Sequence, residues 1–261
     1  MARWLLNCEP LCGHPWRVGI ATHPEERDEA FRLRHEVFFR EQGYGNPDAL
    51  APDGRDVDAF DDWCEHIILY DTDIQRTVGT YRAIPGVEAL RRGGFYGAAE
   101  FDLGPLQPIA HQIMQGSRTC VAASHRGGSA IQYLSYGMEL LLRQYNCNYF
   151  LGADSFRTDN IETLNRIYSY VRHTWMDPDW FVEPLPANRV EGLRDVPFTK
   201  ADERLLPGVI RMDLHLGFRV CSPPTWDPDF RCYDFLVLAR RDRMSRLYHN
   251  FVDRIERRQP T

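Results

Sequence analysis

The chain has 261 residues with a formal net charge of −6, and 43% of its residues are hydrophobic and 12% aromatic. This composition excludes a disordered chain and a broadly basic nucleic-acid-binding protein. The apolar runs fall far short of the roughly 20 residues that span a bilayer, and no signal-peptide core follows Met1, so we expect a cytoplasmic protein. The seven cysteines are odd in number and widely spaced, a pattern that predicts neither a disulfide framework nor a metal site.

The first half of the chain mixes strand and helix patterns. Alternating apolar and polar residues favour strands, and the capping box at Thr22–Glu25 favours the start of a helix. An antiparallel hairpin is expected around the turn at Asp71–Asp73. In order, we predict a loose arm (1–15), a strand (16–21), a helix (22–42), a loop (43–62), two strands (64–71 and 77–84) and a loop-like stretch (91–108).

The second half continues with alternating strands and helices. In order, we predict a strand (113–122), a helix (129–145), a strand (148–153), a helix (160–172), a surface excursion (174–204), a helix (205–216), two strands (218–221 and 233–239) and an amphipathic C-terminal helix (about 242–258). Because an antiparallel hairpin comes early, we predict an α/β (α+β) fold with a mixed central sheet rather than a doubly wound one. Residues 16–261 are expected to form a single domain.

A strand, a glycine-bearing turn and a helix start occupy residues 119–131. Backbone N–H groups at a helix N-terminus, approached over glycines, can hold an anion such as a phosphate. Arg126 adds a positive charge beside this turn. The alternative is an ordinary glycine turn, which opens many helices.

A second pattern is acidic and leads into the strand that carries His66. It comprises Asp56, Asp58, Asp61, Asp62 and Glu65. Arg34, Arg82 and Arg118 lie inside predicted regular elements, where they are costly to bury unpaired. These groups predict either a buried Arg–Asp network or a site for an amine, and the residues alone do not choose between the two.

Covalent catalysis is not indicated by the motifs that are present. The chain has no G-x-S-x-G nucleophile elbow and no G-x-x-x-x-G-K-[ST] phosphate loop. Lys200 is the only lysine, which argues against a lysine-based Schiff-base enzyme.

Several segments, taken in order, resemble the motifs of one group of enzymes. They are Leu33–Phe38, Arg55–Asp61, Cys64–His66, Val78–Arg82, Phe95–Tyr96, Glu100–Leu103, Ser117–Val121, Gly152–Phe156, Leu206–Gly217, Trp226–Phe230 and Asp234. Together they resemble the GNAT-superfamily N-acyltransferases that depend on acyl carrier protein, in particular those that form lyso-ornithine lipid. N-acyl amino acid synthases and acyl-homoserine lactone synthases are related to this group. The resemblance runs from about Val18 to Phe251.

The resemblance implies a GNAT-like fold with a mixed, mostly antiparallel sheet. It also implies transfer of a long fatty acyl group, plain or 3-hydroxylated, from acyl carrier protein to the α-amine of an amino acid such as ornithine. The amine attacks the thioester directly, so neither a covalent enzyme intermediate nor a permanently bound cofactor is expected. The donor substrate is acyl-phosphopantetheine of the carrier protein, or alternatively acyl-CoA. The implied partners are the carrier protein, the amino acid and the inner membrane as a peripheral contact, without nucleic acid.

The same resemblance implies three sets of site residues. The catalytic set is Asp58, Asp61, Glu100, Gln115 and Arg118. The donor-binding set is Val121, Arg126, Gly127, Gly128, Ser129 and Ala130. The remaining substrate-binding set is Arg34, Phe38, His66, Arg82, Ser155 and Phe156.

The chain departs from the family pattern at three places. Gln115 stands where the family usually has a glutamate, which is the proposed amine base of the homoserine lactone synthases. A glutamine cannot accept that proton at neutral pH, so Asp58, Glu100, His66 or a water takes the role, or the amine arrives neutral. Ser129 replaces a frequent glycine, and Arg157–Asp159 replaces an expected Pro-Gly-Thr-Asp.

These departures keep two alternatives open. One is a catalytically weak GNAT-like module that binds acyl carrier protein or lipid. The other is an acyl-homoserine lactone type of signal synthase, which the long segment 172–200 fits poorly. The arginine-rich C-terminal helix either caps the core or docks an acidic carrier protein or an anionic membrane.

Overall fold

One nine-stranded sheet organises the part of the chain that the computed structural model describes, residues 2–9, 13–45, 52–127 and 129–257. Its strands are β1 (Arg3–Asn7), β2 (Trp16–Ile20), β3 (Glu65–Asp71), β4 (Arg76–Pro85), β5 (Ile113–Val121), β6 (Tyr149–Phe156), β7 (Arg219–Val220), β8 (Thr225–Asp227) and β9 (Cys232–Arg240). The order is β1-β2-β3-β4-β5-β6-β9-β7, with β8 paired to β9. Only β5 and β6 pair in parallel among these strands, so the predicted mixed, mostly antiparallel sheet is confirmed.

Six α-helices are described beside the sheet. They are α1 (Pro24–His35), α2 (Gly86–Arg92), α3 (Ala130–Gln144), α4 (Ile161–Thr174), α5 (Gly208–Leu216) and α6 (Arg246–Glu256). A side-chain cap fixes the first residue of α4: Asn160 accepts hydrogen bonds from the N–H groups of Glu162 and Thr163. A short π-helix, Glu36–Glu41, continues α1. In the described ranges no helix combines the length and the apolar character needed to cross a membrane.

The two faces of the sheet carry different helices. Ile67, Leu69 and Phe150 pack with the apolar sides of α3 and α6, whereas Ile68 packs with Ala30 of α1. Because side chains alternate along a strand, the sheet has an α3 face and an α1 face. Val252 and Ile255 of α6 are buried in the α3-face cluster, so this helix does cap the core.

The parallel pair β5–β6 opens into a gap. Pairing covers only Ile113–Gln115 against Tyr149–Leu151, although both strands continue for five or six residues. The region between 116–121 and 152–156 is called the strand gap below. A register shift in the β4–β5 ladder, with Arg118 at a φ of +54°, forms a bulge that turns β5 at this level.

Three elements differ from the sequence-based expectation. The loose arm predicted for residues 1–15 is wrong for Arg3–Asn7, which pair with β2 as an edge strand. Helix α2 overlaps the start of the loop-like stretch predicted for 91–108, and two 3₁₀ segments, Tyr96–Ala99 and Gly104–Gln112, cover much of the remainder. Strand β8 was not expected either. Elements of three to seven residues contain too little periodicity to identify, and their structure depends on contacts distant in sequence.

Candidate active site

Arg34 anchors a buried ion network on the α1 face of the sheet. Its two terminal nitrogens donate to the two carboxylate oxygens of Asp61 at 2.8 Å, and its Nε donates to Asp56 at 3.0 Å. The side chain of Arg34 is fully buried. Both ends of the guanidinium are therefore occupied by protein carboxylates, which is the arrangement that a buried arginine requires.

Arg82 on β4 extends the same network towards the strand gap. Its Nη1 donates to Asp58 at 2.6 Å and to Asp61 at 3.1 Å, and its Nε donates to the Ser117 hydroxyl at 2.9 Å. Its remaining nitrogen, Nη2, is buried and has no hydrogen-bond partner among the described residues. The guanidinium lies 5.2 Å from the ring centre of Tyr96, within cation–π range.

Arg118 closes the network at the bulge of β5. Its Nε donates to Asp56 at 3.0 Å, its Nη1 to the Tyr96 hydroxyl at 3.0 Å and its Nη2 to Asp58 at 3.4 Å. The guanidinium also lies 4.5 Å from the ring centre of Phe230. The positive φ of Arg118 and this set of partners together hold the side chain on the α1 face beside the gap.

The charges of this network stabilise its ionised carboxylates. Asp61 has a pKa held well below its usual range, because hydrogen bonds and charge from Arg34 outweigh desolvation by burial. The pKa of Asp56 is lowered by Arg118 and Arg34 against the same desolvation. Burial lowers the pKa of His66 to about 4, so the imidazole is neutral at pH 7. Asp61 and His66 are therefore poor proton acceptors for a substrate amine.

Gln115 occupies the apex of the strand gap, at the last residue pair of the parallel ladder. It is 0% exposed, and neither its amide nitrogen nor its amide oxygen has a hydrogen-bond partner among the described residues. An ideal Cβ on Gly97 would lie 3.1 Å from the Gln115 Nε2 atom. The turn at Tyr96–Ala99 therefore covers Gln115 directly.

A second set of carboxylates lies across the gap from the arginines. Asp234 on β9 pairs in register with Ser155 of β6, and Glu100 accepts a 2.6 Å hydrogen bond from the Thr225 hydroxyl of β8. Asp227 has a carboxylate oxygen within 4.8 Å of one from Asp234. We call Glu100, Asp227 and Asp234 the acidic wall.

Burial raises the pKa of all three carboxyl groups of the acidic wall. The pKa of Glu100 rises to about 8 through desolvation and the nearby Asp234 charge. The pKa of Asp234 rises to about 6 through desolvation, and that of Asp227 is raised for the same reason. Groups that exchange a proton near neutral pH are suited to general acid–base chemistry.

A further pair of carboxyl groups lies on the α3 face. Asp154 of β6 and Asp213 of α5 interact, and desolvation raises the pKa of both, that of Asp213 to about 7. Burial raises the pKa of the nearby Tyr81 hydroxyl, and the negative charges of Asp213 and Asp154 raise it further. The sheet separates this pair from the Arg–Asp network.

The predicted donor turn follows the end of β5. Arg126 donates from Nε to the Val121 carbonyl at 2.8 Å and is also paired with Glu41. Its side chain is 40% exposed, and Ser129 is the N-cap of α3. Gly127 and Ala130 lie on the same turn and helix start, whereas Gly128 falls outside the described residues.

Most of the other predicted site residues lie near the gap, with one exception. Phe38 contacts Phe230 at 6.5 Å between ring centres, and Ser155 hydrogen-bonds Asp234. Phe156, by contrast, stacks on Phe235 at 5.3 Å in the cluster that α4 and α5 cover. Its side chain is part of the core on the α3 face, because strand alternation turns it away from Ser155.

Sequence reasoning missed several members of the site. Tyr96, Ser117, Thr225, Asp227 and Asp234 were not among the predicted site residues, although most lie in the motifs quoted for the family resemblance. Their roles depend on pairing between distant segments. Thr225 and Glu100, for example, are 125 residues apart in the chain.

Two groups of side chains have the composition of a metal site. Asp61, Cys64 and His66 form one, and Asp227, Cys232 and Asp234 form the other. The oxygens of Asp61 already bind Arg34 and Arg82. In the second group one oxygen of Asp227 accepts the N–H groups of Asp229 and Phe230. These existing bonds account for the orientation of both aspartates.

Comparison with known proteins finds relatives that match about nine-tenths of the chain. Residues 33–136 match the family model described as Acetyltransferase (GNAT) domain. An L-ornithine N(alpha)-acyltransferase of Rhodobacter capsulatus is 26% identical over 92% of this chain and 95% of its own length. The Rhizobium meliloti protein of the same name is 28% identical over 89% and 82%.

Solved structures show the same fold. An N-acyl amino acid synthase from uncultured soil microbes has a TM-score of 0.52 at 11% identity and covers 90% of this chain and 97% of its own. A CoA-dependent acyl-homoserine lactone synthase with SAM and isopentyl-CoA has a TM-score of 0.51 at 14% identity, over 92% and 85%. Residues 33–136 thus match a GNAT acetyltransferase domain, and the comparisons confirm the sequence-based recognition of a resemblance to GNAT-type N-acyltransferases.

Proposed function

We propose that the protein transfers a long-chain acyl group, plain or 3-hydroxylated, from the thioester of acyl carrier protein to the α-amine of an amino acid such as ornithine. The main support within the structure is the strand gap, which has an Arg–Asp network on one side and the acidic wall on the other. Relatives that cover about nine-tenths of the chain are L-ornithine N(alpha)-acyltransferases by name, which supports the choice of acceptor.

The gap suits a thioester donor that enters beside β5. Backbone groups of 116–121 that face the gap lack a neighbouring strand, because β6 pairs only with Ile113–Gln115. Backbone N–H groups in such a position can polarise the thioester carbonyl oxygen as negative charge develops on it. No protein nucleophile is needed, since the amine nitrogen attacks the carbonyl carbon directly.

We assign the amine proton to Glu100. Its carboxylate takes a proton from the acceptor ammonium, and the neutral amine forms the C–N bond as the C–S bond breaks. The nitrogen loses its second proton to the leaving thiolate as the amide forms, and Glu100 releases the first proton to solvent, so the products are the amide and the free thiol of the donor. Glu100 is better suited than Asp61 because a base with a pKa near neutrality remains basic enough to remove the proton.

Acyl carrier protein is the proposed donor carrier because arginines are present where the donor would enter, although Arg126 pairs with Glu41 and Arg257 with Asp253. Arg126 follows β5, and Arg254 of α6 donates to Gln132 in the first turn of α3 at 3.5 Å. Arg257 follows on the same end of α6 and is 80% exposed. An acidic carrier protein that delivers a phosphopantetheine arm would meet these arginines first. Peripheral contact with the inner membrane stays part of this proposal, because the acylated product is a lipid.

Mass spectrometry tests the proposal. The protein is incubated with long-chain acyl carrier protein or acyl-CoA, plain or 3-hydroxylated, and a pool of amino acids. We expect an N-acyl amino acid, formed faster from the carrier protein. A faster reaction from acyl-CoA would contradict the donor. Binding of the carrier protein with its thioester intact would replace the proposal with the binding-module alternative, and acylation of S-adenosylmethionine would replace it with signal synthesis.

A further inference from the structure

Three polar atoms at the apex of the strand gap are buried without a protein partner. They are Nη2 of Arg82 and both amide atoms of Gln115, and both side chains are 0% exposed. A buried polar atom left without a hydrogen bond costs about 1–3 kcal/mol, and three of them in one place mark a site for an external group. The other two arginines of the network, Arg34 and Arg118, each have a hydrogen-bond partner at Nε, Nη1 and Nη2.

The β4–β5 ladder brings these two side chains together. Arg82 pairs with Ser117, and Ile84 pairs with Gln115, so Arg82 and Gln115 are diagonal neighbours on the α1 face. The Tyr96–Ala99 turn covers both: the Tyr96 ring lies over Arg82 and Gly97 lies against Gln115. One bound group can therefore contact both side chains.

The chemistry of the three atoms identifies that group. Arg82 Nη2 and Gln115 Nε2 are donors, and donors from a guanidinium and an amide match the two oxygens of a carboxylate. Gln115 Oε1 is an acceptor and matches an N–H group. An α-amino acid presents a carboxylate and an amine on one carbon, and Glu100 follows Gly97 in the same turn, with its N–H donated to the Gly97 carbonyl at 3.1 Å.

We propose that Gln115 and Arg82 bind the α-carboxylate of the acceptor amino acid, with Gln115 Oε1 holding its α-amine for Glu100. This inference rests on the proposed function and goes beyond it, because it makes Gln115 a positioning residue rather than a defective base. The two interpretations predict opposite results for Gln115→Glu. A restored base would raise activity, whereas a carboxylate at this position would repel the acceptor carboxylate.

Steady-state kinetics with two acceptors test the inference. L-ornithine carries the carboxylate, and 1,4-diaminobutane is the same molecule without it. For the wild type we expect a strong preference for ornithine. Gln115→Met keeps the volume and removes the N–H donors and the carbonyl acceptor of the amide. We expect it to raise the ornithine KM about 10- to 100-fold, the range of one or two charge-assisted hydrogen bonds, with the donor KM unchanged.

The remaining variants sharpen the test. Gln115→Glu should raise the ornithine KM at least as much, and both variants should lose preference for ornithine over the diamine. Gln144→Met, on the exposed end of α3, is the matched control and should behave as wild type. An unchanged ornithine KM in Gln115→Met would overturn the inference and mean that the amide binds water only. A faster reaction in Gln115→Glu would also overturn it and mean that position 115 is the site of a missing base.

Two readouts separate this inference from the proposed function. Calorimetric titration with L-ornithine in the absence of donor should show binding to wild type and at least tenfold weaker binding to Gln115→Met. This difference in ornithine affinity is expected whether or not acyl transfer occurs. The absence of any amide product from wild type would instead contradict the proposed function alone. Gln115→Met should also raise the thermal midpoint of the unliganded protein, since it replaces an unpaired buried amide by an apolar side chain. A lower midpoint would contradict the buried, unpaired amide.

Discussion

Glu100 combines a buried position with a raised pKa, and this combination makes a direct prediction about rate. Glu100→Gln keeps the shape and the hydrogen bond with Thr225 but cannot take a proton. We expect kcat to fall about 10²- to 10⁴-fold, the usual contribution of a positioned base. In wild type kcat/KM should rise with pH through about 8, because the ionised carboxylate is the active form.

The matched control is Asp102→Asn, a nearby exposed acid that accepts from the Gly104 N–H. It should leave kcat and the pH profile unchanged. A Glu100→Gln enzyme that keeps the wild-type rate and profile would assign the proton transfer to water or to an amine that arrives neutral.

Arg126 carries the proposed contact with the donor phosphate. Arg126→Ala should raise the donor KM about tenfold or more, because a charge-assisted contact to phosphate is lost. The KM of the amino acid should stay unchanged in the same kinetic assay. Arg91→Ala, which removes a cation that is 76% exposed on α2, serves as the control. An unchanged donor KM in Arg126→Ala would exclude this arginine from the donor site.

Between elements, Asp61 joins α1 to β4 through Arg34 and Arg82. Asp61→Asn removes one of the two carboxylate partners of each of two buried guanidiniums, Arg34 and Arg82, and we expect a loss of about 3–5 kcal/mol in the free energy of unfolding. Denaturant unfolding measures this loss against Asp62→Asn, an exposed neighbour that should change little. A stable Asp61→Asn protein would mean that the network is not needed for folding.

The sign of the pH dependence follows from the same carboxylate. The pKa of Asp61 is lowered on folding, so its stabilisation is complete above the ordinary aspartate range near pH 4 and is lost as the pH falls below it. Asp61→Asn should therefore cost more stability at pH 7 than at pH 3.

Aromatic side chains pack directly on Gly116, the first residue of β5 beyond the parallel ladder. An ideal Cβ on Gly116 would lie 2.4 Å from Cζ of Phe150 and 2.8 Å from Cε2 of Tyr81. Gly116→Ala should cost about 1–3 kcal/mol of stability through overpacking. Phe150→Leu in the same chain should recover part of the loss in thermal unfolding. Gly152→Ala, whose Cβ would lie 3.4 Å from Phe150, is the control and should cost less.

At the level of elements, the sequence predicted the strands and helices that are long enough to show a repeating apolar pattern. The hairpin of β3 and β4, the long strand β5 and the helices α3 and α6 each contain enough residues for a repeating apolar pattern. Strands β1 and β8 contain five and three residues, and their structure depends on their neighbours. The Arg–Asp network was predictable as an alternative, because buried arginines require acids. The acidic wall was not, since Glu100 meets Thr225 only after the chain has folded.

At the scale of the whole molecule, the carboxyl pair Asp154 and Asp213 on the α3 face makes stability depend on pH in the sense opposite to that of Asp61. The folded-state pKa of Asp213 is about 7, above its ordinary value, so stability falls as the pH rises from about 4 to 7 and then levels off. Asp213→Asn removes this loss. We expect a thermal midpoint a few degrees above wild type at pH 8 and little difference at pH 4. Asp159→Asn, an exposed acid, is the control, and a midpoint below wild type at pH 8 would contradict the pair.

The arginine side of the strand gap and two of the three residues of the acidic wall come from different parts of the chain, and β5 and β6 are joined by three parallel residue pairs. The arginine side lies within 33–136, the segment that matches the GNAT domain, and it carries ion pairs on which folding depends. The acidic wall is completed by β8 and β9, outside that segment. Substitutions in β8 and β9 therefore leave the ion pairs of the Arg–Asp network within 33–136 intact. In the proposed amine site, β8 and β9 are therefore the segment to vary first when another acceptor is wanted, because such changes leave those ion pairs in place.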